Sequence, residues 1–276
     1  MVSAIFHYLG PSFAVLLFAR VDPLGVAWLR IASAGIIFAA WRRPWRALRG
    51  CGGDVRRLVL SLGAVLAVMN ACFYLAIDRL PLGTVAAIEF LPVIVLAALG
   101  MRSWPNLVAL GLAVVGVYAL LDLRLEGETL GVAFAFANAI LFAAYIVLAH
   151  RLARAAALPR IDGLAAAMLV ATVVVTPLGG VGAAKALVDP VALAAGFGVG
   201  VASSVVPYVF DQFAMARLSR AGYALLVSLL PATATVIGIV VLAQIPTRTE
   251  AFGVALVVAA VALHREPDVR SRSNGS

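Results

Sequence analysis

The stretch AAIEFLPVIVLAALG at residues 86–100 decides the fold, because it is one long apolar run. Its single exception is the carboxylate of Glu89. Similar apolar runs follow one another along the 276 residues, of which 64% are hydrophobic and 12% are charged. Soluble domains are about half apolar and about a quarter charged, whereas a helix that crosses a membrane needs roughly 20 mainly apolar residues. The sequence therefore predicts an all-α integral membrane protein.

Ten apolar runs, bounded by Pro, Gly or charged residues, predict ten transmembrane helices. They lie at residues 3–19, 23–41, 58–77, 81–101, 105–121, 130–149, 163–179, 190–213, 221–243 and 250–264. If both termini are cytoplasmic, the cytoplasmic segments hold fifteen of the 21 Lys and Arg residues, the opposite side holds five, and Arg30 falls inside a helix. Lys and Arg concentrate in cytoplasmic loops. This pattern predicts a multi-pass protein of the cytoplasmic (inner) membrane with both termini inside.

An internal repeat divides the chain. Shifting the sequence by 139 residues places Gly83 on Gly222 and Pro92 on Pro231. Each half then has five helices, and an odd number forces the halves into opposite orientations, as in many secondary transporters. Because proline removes a helical hydrogen bond, Pro92 and Pro231 are candidate hinges. The predicted units are a first repeat, a connecting loop, a second repeat and a disordered cytoplasmic tail, at residues 1–121, 122–129, 130–264 and 265–276.

Three segments carry a resemblance to a known family. PLGVAWLR at 23–30, MNACFYLAIDRLPLGTVAAIEF at 69–90 and VVPYVFDQFAMARL at 205–218 resemble the EamA family of the drug/metabolite transporter superfamily, and within it the threonine/homoserine exporter type. The resemblance implies a ten-helix carrier, built from two inverted five-helix repeats, that exports small amino acids or related polar metabolites. The chain departs from the family pattern at Leu230-Pro231, where members usually carry Glu-Pro, and at Ala243-Gln244, where they usually carry Gly-Glu.

Charged side chains inside the predicted helices are candidate functional groups, since a charge at the bilayer centre costs about 2.5 to 3.5 kcal/mol even on a lenient scale. Glu89 lies roughly 12 Å along its helix, near the midplane. Two interpretations remain open for Arg30. It pairs with a buried acid and holds helices together, or it binds a substrate carboxylate while Glu89 meets the substrate ammonium or carries a proton. Glu89 and Asp211 are the candidate proton carriers, although the position of Asp211 toward a cytoplasmic helix end favours a gate or a solvated helix end.

Other polar side chains lie well inside the predicted helices, and each of them alone would serve equally well as an interhelical hydrogen bond. With the two charged residues they form the predicted substrate-binding set. That set comprises Arg30, Asn70, Tyr74, Glu89, Asn138, Tyr145, Tyr208 and Ser228. His7 and the pair Gly196 and Gly200 are interpreted as packing residues.

These features favour a secondary active transporter that works by alternating access, with protons as a candidate coupling ion. A carrier or flippase for a lipid-linked or other non-amino-acid metabolite is the alternative. The sequence has no HExxH, GxSxG or Walker A motif, which argues against a membrane-embedded enzyme and against ATP coupling. Cys51 and Cys72 have no metal-ligand spacing. We therefore expect no metal, cofactor or nucleic-acid partner, and expect the substrate and the lipid bilayer as partners.

Overall fold

A computed structural model of the protein describes residues 2–100, 103–121, 128–155, 159–207 and 230–263. These residues form eleven α-helices, one π-helical segment and short turns, and they contain no strand. The α-helices are α1 (Val2–Leu17), α2 (Pro23–Arg42), α3 (Pro44–Arg49), α4 (Gly53–Ile77), α5 (Leu82–Gly100), α6 (Trp104–Leu121), α7 (Thr129–Arg154), α8 (Arg160–Val188), α9 (Pro190–Gly200), α10 (Leu230–Leu242) and α11 (Arg248–Leu263). The π-helical segment, Val201–Val205, continues directly from α9. The predicted residues Tyr208, Asp211 and Ser228 and the predicted tail lie outside the described residues.

Several helices differ from the predicted ranges. α8 extends to Val188 rather than to residue 179, because Gly179 and Gly182 pack against the start of α2 and tertiary contacts hold the helix past Pro177. α4 begins at Gly53 rather than at residue 58. Its first turns are an exposed segment with basic residues, which precedes the apolar run used for the prediction. The short helix α3 was not predicted, since six residues are too few for a periodic signal.

Four helices in the described part of the chain are long and apolar enough to cross a membrane. They are Pro23–Arg42, Gly53–Ile77, Thr129–Leu152 and Ile161–Val188. The shorter apolar helices include segments of α1, α5, α6, α9 with the π-helical segment, and α10. The protein is therefore an all-helical membrane protein.

Two helix starts on the connecting turns are capped by local side chains. The Asp189 carboxylate accepts hydrogen bonds from the backbone N–H groups of Val191 and Ala192 at the start of α9, at 2.9 and 3.2 Å. The hydrogen bond from Ala192 has the largest effect on the pKa of Asp189, and together with the bond from Val191 and the Arg20 guanidinium at 3.2 Å it holds that pKa below its usual value. At the start of α11, the Glu250 carboxylate accepts from the Thr247 N–H while the Thr247 hydroxyl accepts from the Glu250 N–H. This reciprocal pair is a capping box.

Small residues set how closely the helices approach. The main helix contacts join α2 to α8, α4 to α7 and α8, α6 to α11, and α5 to α7 and α10, while α1 packs on α9, the π-helical segment and α10. A Cβ on Gly196 would lie 2.7 Å from Leu29, and one on Gly200 would lie 2.9 Å from the Arg30 carbonyl oxygen. The interpretation of Gly196 and Gly200 as packing residues is therefore confirmed, and their partner is α2.

Gly116→Ala is expected to destabilise the protein by about 1 to 3 kcal/mol. A Cβ at Gly116 would lie 2.8 Å from the carbonyl oxygen of Gly253, so the backbones of α6 and α11 would have to separate. Thermal unfolding of the purified protein in detergent measures the loss. Gly111→Ala on the same helix is the matched control, because its Cβ would meet nothing within 4 Å and alanine favours the helix. Equal midpoints for the two variants would contradict this packing.

Ala243→Gly is expected to stabilise the protein by up to about 1 kcal/mol, because Ala243 lies in the left-handed region. Its φ is 53°, immediately after the end of α10. Glycine adopts this conformation without the Cβ clash. Ala251→Gly, at an exposed position of helix α11, is the control and is expected to destabilise by a similar amount. The thermal midpoints of both variants test the prediction, and a lower midpoint for Ala243→Gly would refute it.

Candidate functional site

The interior of the helical bundle contains a group of polar side chains contributed by α1, α2, α4, α5, α7 and the π-helical segment. We call this group the central polar cluster. Its members are Tyr8, Arg30, Tyr74, Glu89, Asn138 and Ser203. Arg30 is half-buried and each of the others is buried. The cluster therefore draws its residues from both halves of the chain.

Glu89 is held on α5 and faces α7. Its side chain is 8% exposed, and its Oε1 accepts a hydrogen bond from Asn138 Nδ2 at 3.2 Å. That is the single hydrogen bond to its side chain among the described residues. A buried carboxylate offers about four lone-pair sites. Most of the accepting capacity of Glu89 therefore remains for a ligand, a proton or water.

Arg30 is held on α2 and faces the π-helical segment. Its Nη2 donates to the Ser203 carbonyl oxygen at 3.3 Å and its Nε donates to Ser204 Oγ at 3.4 Å. Its guanidinium carbon also lies 5.7 Å from the centroid of the Tyr74 ring, within the range of a cation–π contact. Both hydrogen bonds are longer than the usual 2.9 to 3.0 Å, so a stronger acceptor could replace them at small cost.

The sequence left open whether Arg30 and Glu89 pair with each other. The ion pairs in the described part of the chain join Arg20 to Asp189, Arg42 to Asp162, Arg57 to Asp54 and Arg79 to Asp78. Arg30 and Glu89 are not within 4.0 Å, although their charges lie close enough to interact. The cluster thus contains a guanidinium and a carboxyl group that are near each other but do not form an ion pair.

Four buried polar atoms of the cluster have no hydrogen-bond partner among the described residues. They are Tyr8 Oη, Tyr74 Oη, Asn138 Oδ1 and Ser203 Oγ. Tyr74 Oη lies near Arg30 and Ser203 without meeting hydrogen-bond geometry. Each unsatisfied group costs about 1 to 3 kcal/mol, so the concentration of four in one place is characteristic of a site that a polar ligand or water completes.

The π-helical segment is fitted against α1 and α2 by two glycines. A Cβ on Gly10 would collide with the Ser203 side chain, and a Cβ on Gly200 would collide with the Ser33 hydroxyl. Segments of this kind are rare and frequently occur at functional sites. The close approach of α2 to the π-helical segment brings the Ser203 carbonyl and the Ser204 hydroxyl within reach of Arg30.

The structure brings together four of the residues that the sequence singled out: Arg30, Tyr74, Glu89 and Asn138. Asn70 lies on the same helix as Tyr74 but donates to the Leu66 carbonyl of its own helix at 2.8 Å. Tyr145 lies farther along α7, where its ring stacks on Phe142 with centroids 6.1 Å apart. Phe142 in turn contacts Phe90, the residue after Glu89.

Sequence reasoning missed Tyr8, Ser203 and Ser204. Tyr8 lies in a helix of mainly apolar residues, and the two serines lie in the run GVASSVVP. Hydroxyls inside an apolar helix were a usable signal for all three. His7 was interpreted as a packing residue, and its ring makes an edge contact with Tyr8 at 5.2 Å.

Similarity to known proteins covers most of the chain. The sequence profile of the EamA-like transporter family matches residues 129–265. The threonine/homoserine exporter RhtA of Salmonella typhimurium strain LT2 is 32% identical over 269 residues, which cover 95% of this chain and 90% of the relative. The chain belongs to the EamA-like transporter family. It is thus a membrane transporter rather than an enzyme.

Two further comparisons also cover most of this chain. RhtA of Escherichia coli strain K12 is 32% identical to this EamA-family chain over 254 residues, 91% of the chain and 84% of the relative. A solved crystal structure superposes with a TM-score of 0.59 at 20% identity and covers 95% of both chains. The resemblance seen in the sequence is therefore confirmed at the level of the family, and the fold recurs in a solved protein.

Proposed function

We propose that this protein is a secondary active transporter that exports a small amino acid of the threonine and homoserine class across the cytoplasmic membrane by alternating access. The observation that carries the proposal is the central polar cluster, where Arg30 and Glu89 lie near each other but do not pair. An amino acid is a zwitterion and can occupy both charges at once. Near-full-length similarity to threonine/homoserine exporters supports the same substrate class.

In this proposal each charge binds the opposite end of the substrate. The planar guanidinium of Arg30 suits a carboxylate, which can accept two parallel hydrogen bonds. Glu89 accepts from the ammonium while it keeps its bond to Asn138. The unsatisfied hydroxyls of Tyr8, Tyr74 and Ser203 are suited to the side-chain hydroxyl of the substrate.

The helix contacts support two inverted five-helix repeats. The first repeat comprises α1, α2, α4, α5 and α6, and the second comprises α7, α8, α9 with the π-helical segment, α10 and α11. Exchanging the repeats converts the α4–α7 contact into α9–α1, α4–α8 into α9–α2, and α5–α7 into α10–α1, and each of these contacts occurs. The profile match over 129–265 also spans the proposed second repeat at 130–264.

Alternating access would rock one repeat against the other around the cluster. The candidate hinges Pro92 and Pro231 lie on α5 and α10, which pack against each other. Glu89 is one turn before Pro92, so a bend there would move the carboxylate. Glu89 remains the candidate proton carrier, together with Asp211 outside the described residues. The distribution of Lys and Arg supports cytoplasmic termini.

Counterflow in proteoliposomes tests the proposal. Vesicles that contain the purified protein and unlabelled threonine are diluted into labelled threonine, and transient uptake above that of protein-free vesicles is expected. Excess external homoserine is expected to suppress the uptake, whereas phenylalanine is not. Absence of threonine counterflow would overturn the proposed substrate class and favour the alternative of a lipid-linked or other metabolite.

A further inference from the structure

A cavity with several polar lining residues lies away from the central polar cluster. It has a volume of about 330 Å³ and is bounded by the turn between α4 and α5, the turn between α10 and α11, and neighbouring parts of α1, α10 and α11. We call it the outer cavity. Its polar lining residues are Asp78, Arg79, Thr84, Thr235, Gln244 and Glu250. None of them belongs to the central polar cluster.

Gln244 is fixed in position inside the outer cavity. Its Oε1 accepts a hydrogen bond from the Leu82 backbone N–H at the start of α5, at 3.1 Å. Its own backbone N–H donates to the Gly238 carbonyl at 3.0 Å. With the carbonyl oxygen engaged, the side-chain NH₂ group has no partner among the described residues. The cavity therefore contains an oriented pair of donors.

Thr84 supplies a second unpartnered polar group. The residue is 3% exposed and lines the cavity, and its hydroxyl makes no hydrogen bond within the described part of the chain. A helical threonine usually satisfies its hydroxyl on a carbonyl of the preceding turn, as Thr235 does on the Pro231 carbonyl at 3.0 Å. The hydroxyl of Thr84 is thus left available to a molecule in the cavity.

The outer cavity also contains a carboxylate that can accept from a cation. Asp78 and Arg79 form an ion pair at 3.2 Å, and Arg79 also donates to the Leu75 carbonyl at 2.8 Å. The Asp78 carboxylate accepts no hydrogen bond from the described residues, so its oxygens can accept from a cationic group, whereas the Gln244 amide and the Thr84 hydroxyl favour an acceptor. A small zwitterion satisfies both requirements.

We propose that the outer cavity is a second binding site for an α-amino acid, separate from the central polar cluster; this inference rests on the proposed function for the identity of its ligand. The ammonium lies toward Asp78 and the carboxylate toward the Gln244 amide and Thr84. The volume is at the lower end of small-molecule pockets, which fits an amino acid with its waters. By the charge pattern of the loops, the cavity opens on the non-cytoplasmic side.

The two sites are close but separated by packed side chains. Thr84 and Glu89 are five residues apart on α5, about 8 Å along the axis. Val15, which lines the cavity, and Tyr8 are seven residues apart on α1, about 10 Å. The α5 side chains between the sites, Val85 to Ile88, are fully buried. In an exporter, the outer cavity would receive the substrate after it leaves the central polar cluster.

Cysteine protection tests the second site. Thr84→Cys is introduced after Cys51→Ser and Cys72→Ser, and the protein in proteoliposomes is labelled with a small methanethiosulfonate reagent. Saturating threonine is expected to slow the labelling at least fivefold. The matched control is Thr249→Cys, an exposed threonine near the same turn that does not line the cavity. Its labelling is expected to be unchanged by threonine.

Adding Glu89→Gln separates the two sites. Protection of Thr84→Cys is expected to persist in that background, and its disappearance would mean that threonine acts through the central polar cluster, which overturns the proposal. Counterflow without protection would also overturn it. Protection without counterflow would instead count against the proposed function and support the site.

A binding measurement provides a second test. Labelled threonine is expected to bind Glu89→Gln at a saturable site, and adding Gln244→Leu is expected to remove that binding. Loss of all binding in folded Glu89→Gln would overturn the proposal.

Discussion

Glu89→Gln is expected to lower threonine counterflow at least tenfold while leaving the fold intact. Glutamine has nearly the same shape, and its side-chain oxygen can still accept the 3.2 Å hydrogen bond from Asn138. The substitution removes the charge that would meet the substrate ammonium. A hydrogen bond to a charged group contributes about 1.5 to 3 kcal/mol, and each 1.4 kcal/mol corresponds to about a factor of ten. The loss should therefore appear in transport and not in the thermal midpoint.

Asp162→Asn is the matched control for this prediction. The Asp162 side chain is 13% exposed, and asparagine can still accept the 2.6 Å hydrogen bond from Arg42, so this substitution also removes a largely buried negative charge while keeping its hydrogen-bond partner. Asp162 belongs neither to the central polar cluster nor to the lining of the outer cavity. We expect its effect on counterflow to be less than threefold. If Glu89→Gln transports as the unmodified protein does, the carboxylate is a structural partner of Asn138 and the substrate site lies elsewhere.

The pH dependence of counterflow separates the two roles of Glu89. If Glu89 carries the coupling proton, the residual counterflow of Glu89→Gln becomes independent of a pH gradient. If Glu89 binds only the ammonium, the residual counterflow depends on a pH gradient in the same way as counterflow by the unmodified protein. Asp211→Asn examined in the same assay tests the other candidate proton carrier.

The sequence predicted the helical membrane fold because a helix that crosses lipid must be mainly apolar over about 20 residues. Long apolar runs separated by charged turns can be read directly, and α2, α6, α7 and α11 begin within about two residues of the predicted positions. The extension of α8 past Pro177 could not be read this way. It depends on Gly179 and Gly182 meeting α2, a contact between segments more than 150 residues apart.

Part of the central polar cluster was predicted because apolar helices make a charged residue conspicuous in the sequence. A charge inside an apolar run is visible in the sequence, so Arg30 and Glu89 were found. Asn138 was also singled out, but its hydrogen bond to Glu89 was not visible, because the two residues are 49 positions apart. Ser203, which is 173 positions from Arg30, was missed. Whether Arg30 and Glu89 form an ion pair with each other could be decided only from the positions of both side chains. The π-helical segment also has no periodic signature that distinguishes it from a continuing α-helix.

Arg30→Lys is expected to weaken threonine binding about tenfold or more, because lysine keeps the charge but loses the planar, two-pronged donor. The guanidinium of Arg30 is held in position by its hydrogen bonds to Ser203 and Ser204 and by the Tyr74 ring. Inhibition of labelled threonine counterflow by unlabelled threonine measures the effect. Arg42→Lys, on the same helix and paired with Asp162 at 2.6 Å, is the matched control and should leave inhibition nearly unchanged.

Substrate analogues make this prediction specific to the carboxylate. Threoninol has the ammonium and hydroxyl of threonine but replaces the carboxylate with an alcohol. If Arg30 binds the carboxylate, the unmodified protein prefers threonine over threoninol, and Arg30→Lys reduces that preference by weakening threonine alone. If Arg30 serves only to hold the π-helical segment against α2, the substitution weakens both compounds equally and the preference is unchanged. For Glu89→Gln the informative analogue is 2,3-dihydroxybutyrate, which lacks the ammonium that Glu89 would bind. Glu89→Gln should weaken threonine but not 2,3-dihydroxybutyrate. An effect of each variant on one end of the substrate would therefore assign the two charges separately.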